Sequence, residues 1–168
     1  MTLFILHAAS ALFMTGLVWF VQIVHYPLLH HVGTTSFHHY EADHTRRTSP
    51  VVAPVMLFEL ASGVWLALAP PTGVESTLLL ANAVLLAVIW GSTFVLQTPL
   101  HRQLSRGFAA DRVDRLVSTN WIRTAVWTVR SALLVFVLLA LTEPSPTPTR
   151  KPLPDVPSLP PIQGVLLK

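Results

Sequence analysis

The stretch QIVHYPLLHHVGTTSFHHYEADHTRR, residues 22–47, holds six of the eight histidines in the chain, with Glu41, Asp43 and a closing Arg46-Arg47 pair. Only 11% of the 168 residues are charged, where a soluble domain carries about a quarter. Such a concentration marks a boundary. The chain leaves one long apolar segment near Gln22, crosses a polar zone and enters the next apolar segment at Val51.

Outward from this stretch, the apolar residues come in blocks. Four are long enough for a bilayer core, which takes roughly 20 helical residues: about residues 3–24, 51–69, 76–98 and 121–142. The fold class expected is therefore all-α, a polytopic membrane four-helix bundle over residues 1–142. The first block lacks the cationic start of a secretion signal and its apolar run is too long, so it reads as a retained helix. Thr34-Thr35-Ser36 can cap a short interfacial helix over 37–45. The segment 143–168 holds eight of the fourteen prolines and is expected to be an extended or disordered tail. There is no cysteine, so any metal would rest on imidazole, carboxylate or carbonyl groups. No internal repeat stands out.

The cations cluster at helix ends, which speaks for membrane orientation and against a nucleic-acid partner. Arg46 and Arg47 lie in the first loop, and Arg102, Arg106, Arg112 and Arg115 in the third, while the second loop has none. The positive-inside rule places loops 1 and 3 in the cytoplasm and both termini outside.

Each span carries a polar stripe at helical spacing: His7, Met14, Gln22 and His25 on the first; Trp90, Thr93, Gln97 and His101 on the third; Asn120, Arg123, Trp127 and Arg130 on the fourth. Pro27 is expected to end or kink the first helix. Glu59 is the one acid well inside a span, and an ionisable group there faces the bundle interior with a partner; Arg130 is its natural partner. With spans 1 and 3 diagonal, His25 and His101 face each other. His7 reads as an outer-interface residue, and His30, His31, His38 and His39 as interfacial side chains at the headgroup level.

The candidate site follows from these stripes. His25, His101, Arg123, Glu59 and Arg130 are the candidate catalytic residues; Gln22, Tyr26, Gln97, Asn120 and Trp127 are the candidate substrate-binding residues. His25, His101, Glu41 and His44 are candidate ligands for a metal ion, with haem on axial histidines as the other cofactor reading. Glu41 and His44 have the Glu-x-x-His spacing of carboxylate-bridged di-iron bundles, in one copy only.

The phrases WFVQIVHYP, HTRR, QTPLHR and NWIRTAVWTVR resemble a group of small four-helix bacterial integral membrane proteins of uncharacterised activity. A looser likeness in architecture is to anthrone-oxygenase-like membrane proteins, which implies oxidation of an aromatic substrate.

Three functional readings are open. The first is a membrane-embedded redox or oxygenase-like protein acting on a lipophilic small molecule such as a quinone or aromatic. The second is a non-enzymatic subunit that binds lipid, quinone or a larger membrane complex, or forms a homo-oligomer. The third is a small proton-coupled transporter in which Glu59 titrates.

Overall fold

A computed structural model describes residues 1–142; the tail expected at 143–168 lies outside the described residues. The chain forms four helices, α1 (Thr2–His31), α2 (Phe37–Leu68), α3 (Ser76–Leu104) and α4 (Ala110–Thr142), each long and apolar enough to cross a membrane. They pack in the cyclic order α1-α2-α3-α4, which leaves α1 diagonal to α3 and α2 diagonal to α4. The all-α four-helix expectation holds. The outward faces carry large apolar side chains such as Leu12, Phe20, Val95 and Phe136. The interior holds His7, Gln22, Glu59, Asn82, Gln97, Asn120, Arg123 and Arg130. Apolar outside and polar inside suits a helix bundle whose solvent is lipid.

The helices outrun the apolar blocks. The short interfacial helix expected at 37–45 is present as helix, but it is the start of α2, which continues through Pro50 and Pro54 to Leu68. Nor does Pro27 end α1. A π-turn over Val21–His25 precedes it, closed by the Tyr26 N–H on the Val21 carbonyl. A matching π-turn over Thr93–Gln97 precedes Pro99 in α3. Proline clashes with the carbonyl four residues back in a regular turn, and the wider π-turn makes room for the ring. Gly33 follows α1 with φ of 83°, a left-handed geometry that glycine adopts without a Cβ clash and that closes helices at this end.

Three apolar layers fill the bundle. Phe4, Ala8, Leu66, Leu79 and Leu134 pack at one end. Met14, Val18, Met56, Ile89 and Trp127 form the middle. Leu29, Phe37, Leu104, Val113 and Leu116 lie at the end that carries the loop arginines, called here the basic end. Two polar clusters lie between these layers.

A repeat hidden in residue identity emerges in burial. The inward faces of α1 and α3 coincide at a shift of 75 residues, the spacing of the bonded pairs His7–Asn82 and Tyr26–His101. Phe4 and Leu79, Met14 and Ile89, Gln22 and Gln97, and Leu29 and Leu104 obey it, all of them buried. For α2 and α4 the shift is 71, that of Glu59 and Arg130, and Met56 with Trp127 and Leu66 with Val137 follow. The bundle is two helix hairpins of like pattern, held together across both diagonals.

Candidate functional site

The cluster between the first two layers draws on all four helices. Arg130 Nη1 donates to Glu59 Oε1 at 2.7 Å and Arg130 Nε to Asn82 Oδ1 at 2.8 Å. Arg130 Nη2 and Asn82 Nδ2 both donate to His7 Nε2, at 2.9 and 3.1 Å. His7 must then carry its proton on Nδ1, which donates to Ser62 Oγ at 2.6 Å; the Ser62 hydroxyl in turn donates a hydrogen bond to the Phe58 carbonyl. Trp127 Nε1 closes the set on Glu59 Oε2 at 3.3 Å. The expected pairing of Glu59 with Arg130 is present. His7, expected at the outer interface, is instead fully buried at the centre of this network, because Asn82 and Ser62 supply partners that its own helix does not reveal. Gly63 makes the approach possible: a Cβ there would lie 3.0 Å from Leu86 and 3.1 Å from His7.

The second cluster lies toward the basic end, and its chemistry differs. Gln22 is held from both ends, its Oε1 accepting from Asn120 Nδ2 at 3.0 Å and its Nε2 donating to the Val117 carbonyl at 3.1 Å. Arg123 Nη1 donates to Asn120 Oδ1 at 3.1 Å, and its guanidinium stands over Trp127, 5.1 Å from the ring centre. Glu41, His101 and Tyr26 form a chain: His101 Nδ1 donates to Glu41 Oε1 at 2.6 Å, and Tyr26 OH donates to His101 Nε2 at 2.9 Å. Glu41 is fully buried and Tyr26 nearly so. A carboxylate that fixes an imidazole, which in turn accepts from a hydroxyl, is the arrangement by which a hydroxyl gains proton-accepting power.

Between α1, α2 and α3 lies a cavity of about 310 Å³. Its apolar wall comes from residues such as Met14, Val18, Val52 and Met56; its polar wall comes from Tyr26, His44, Trp90, Gln97, His101 and Arg123. Four buried polar side-chain atoms lack a partner among the described residues: Trp90 Nε1, Gln97 Oε1, Arg123 Nε and Glu41 Oε2. Three of these residues line the cavity, and the fourth holds its His101. An unpaired buried polar atom costs about 1–3 kcal/mol, so this wall carries unspent hydrogen-bonding capacity.

The candidates named from sequence divide accordingly. His101, Arg123, Tyr26 and Gln97 share the cavity. Gln22 and Asn120 brace it through their mutual bond, and Trp127 backs Arg123. Glu59 and Arg130 are absent from its wall and are consumed by each other. His25 does not meet His101: it turns away to His44, Nε2 to Nδ1 at 2.9 Å, and Tyr26 takes its place. The physical reason is the π-turn, whose extra residue rotates everything beyond it by about 100°. His25, His44, His101 and Glu41 do gather, with the His44 and His101 rings 5.5 Å apart. They bond to one another in pairs, and among the described residues no three histidine or acidic side chains are arranged to hold a metal ion.

Two contributors have roles that the residue pattern does not reveal. Glu41, a candidate metal ligand by spacing, instead orients His101. Trp90, which reads as packing or cavity wall, presents a buried and unpartnered N–H. The one available signal is its place on a stripe with Gln97 and His101. Compared with known protein families, curated proteins and solved structures, the chain matches none.

Proposed function

We propose that the cavity binds a lipophilic ring compound with a polar head, a quinone or related aromatic, and that the protein is a membrane-embedded redox or oxygenase-like protein acting on it. The observation that carries this reading is that Trp90, Gln97 and Arg123, whose Nε1, Oε1 and Nε are buried without a partner, all line one mostly apolar cavity. Ligand sites have this composition, an apolar wall with a few placed polar groups. Two donors and one acceptor match a head that bears a carbonyl or oxyanion beside a hydroxyl.

In this reading the hydroxyl of a phenolic or quinol head meets Tyr26. The ring hydroxyl gives its proton to the Tyr26 oxygen while the Tyr26 proton passes to His101 Nε2. The imidazolium formed rests against the Glu41 carboxylate, and Arg123 faces the oxyanion left on the ring. Such deprotonation would precede either electron transfer from a quinol to a separate electron acceptor or addition of dioxygen to an anthrone-like ring. The loop arginines favour a cytoplasmic basic end, so the proton would leave on that side.

The test is purification in mild detergent, followed by absorption and elemental analysis and by mass spectrometry of extracted lipophilic compounds. A ring compound held stoichiometrically, and lost from Gln97→Leu and Arg123→Met proteins that still fold, supports the reading. Absence of any such compound, together with no saturable binding of added quinones or anthrones, sinks it.

A further inference from the structure

Trp90 lines the cavity and also a second feature, an apolar groove of about 520 Å³ on the lipid-facing side of the α2–α3 seam. Leu57, Leu60 and Val64 of α2 form one bank, and Ala83, Ala87 and Phe94 of α3 the other. From Ala83 to Phe94 the groove follows α3 for about 16 Å at helical rise. Trp90 and Phe94 close its end nearest the cavity, their rings 5.2 Å apart.

The opposite seam shows why this one matters. Under the 75-residue correspondence of α1 and α3, the counterpart of Trp90 is Thr15. Thr15 fastens α1 to α4, donating to the Trp127 carbonyl at 3.1 Å and sharing a hydrogen bond with Ser131 at 2.7 Å; Trp19 Nε1 adds a bond to Thr128 at 3.0 Å. Among the described residues, the side-chain hydrogen bond that spans α2 and α3 is His101–Glu41, beyond the groove at the basic end. Along the groove itself the two helices meet directly through apolar contact, and behind it Arg130 and His7 tie Glu59 and Ser62 of α2 to Asn82 of α3. One seam is pinned by direct hydrogen bonds, and at Trp90 the equivalent one has none.

We propose that the ligand is an amphiphile whose apolar tail, alkyl or isoprenoid, lies in the α2–α3 groove while its ring occupies the cavity, and that Trp90 is the door through which the ring enters sideways from the bilayer. This rests on the ring-binding reading above and adds the class of ligand and its route. Trp90 is the lining residue that the groove and the cavity share, and it carries the unpartnered N–H that would greet the ring. A freely diffusing water-soluble aromatic would have no use for the groove.

The experiment measures binding of a tailless dimethoxybenzoquinone and of its decyl derivative to the full chain in phosphatidylcholine nanodiscs. Quenching of tryptophan fluorescence reports binding, and Kd is expressed as mole fraction in lipid so that partitioning cancels. The decyl compound is expected to bind about ten-fold or more tightly than the tailless one. Ala87→Phe, which fills the groove at an exposed position, should abolish that advantage and leave the tailless compound unchanged; Ala83→Leu is the second variant should Ala87→Phe fail to fold. Equal Kd for the two quinones in the unaltered protein, or an advantage that survives both substitutions, overturns the tail assignment while the ring site stands. Failure of both quinones to bind saturably overturns the ring site and the inference with it.

Discussion

The two polar clusters of this bundle use the same kinds of side chain to opposite ends. Around Arg130, a histidine, an acid, an amide, a hydroxyl and an indole from four helices satisfy one another, and nothing polar is left over. Around Arg123, a comparable set leaves Trp90 Nε1, Gln97 Oε1, Arg123 Nε and Glu41 Oε2 unmatched beside a cavity. The closed cluster behaves as a fastening, since a buried ion pair stabilises only when its remaining hydrogen-bonding capacity is met. The open cluster stores an energetic cost that a ligand can relieve, the usual mark of a site kept for binding at the expense of stability. The near repeat sharpens the contrast. Gln22 and Gln97 are equivalents, yet Gln22 is held at both ends while Gln97 uses only its amide N–H, on Thr119 at 3.0 Å.

The largest effect should come from breaking the closed cluster. Arg130→Met leaves Glu59, His7 and Asn82 without their shared donor, and the expected loss is about 3–5 kcal/mol, read as a collapse of the unfolding midpoint in detergent. An Arg130→Met protein as stable as its parent would mean that the cluster is not a fastening. Next, Gly63→Ala should cost about 1–3 kcal/mol, because the added methyl meets Leu86 and His7; the same unfolding measurement tests it.

The open cluster should respond in the reverse sense. Gln97→Leu removes an acceptor that has no donor and forfeits the part-buried bond to Thr119, so the ligand-free protein should show a net gain of at most about 1 kcal/mol while affinity for a quinone or aromatic falls about ten-fold. Loss of stability with unchanged affinity would move Gln97 from the open class to the closed one. The smallest effect is expected at the pinned seam. Thr15→Val deletes its own two α1–α4 bonds at a cost of roughly 0.5–1 kcal/mol, in the range of hydrogen bonds between membrane helices, and quinone affinity should stay unchanged.

Much of this architecture is legible in the residue pattern. The four apolar blocks mark the helices, and the inward stripes pick out Gln22, Gln97, His101, Asn120, Arg123 and Trp127, all within or beside the second cluster. Glu59 and Arg130 pair as intramembrane charges must. Three points are not legible. His7 reads as peripheral because its partners, Ser62 and Asn82, lie on other helices. Regular periodicity turns His25 inward in place of Tyr26, because it carries a plain α-helix through what is a π-turn. Residues 37–45 read as a separate interfacial helix because the apolar block begins only at Val51, whereas α2 runs from Phe37 through Pro50 and Pro54 to Leu68.

The sequence by itself determined the number of helices, where their apolar spans lie and most of the polar face of each, because apolar block position and helical periodicity are local properties of the chain. Tertiary structure alone decided which polar groups are matched and which are left open, and which seam is fastened. Those outcomes depend on residues some 48 to 123 positions apart meeting across the bundle, and on π-turns that reset which side chain faces in. No local pattern encodes either.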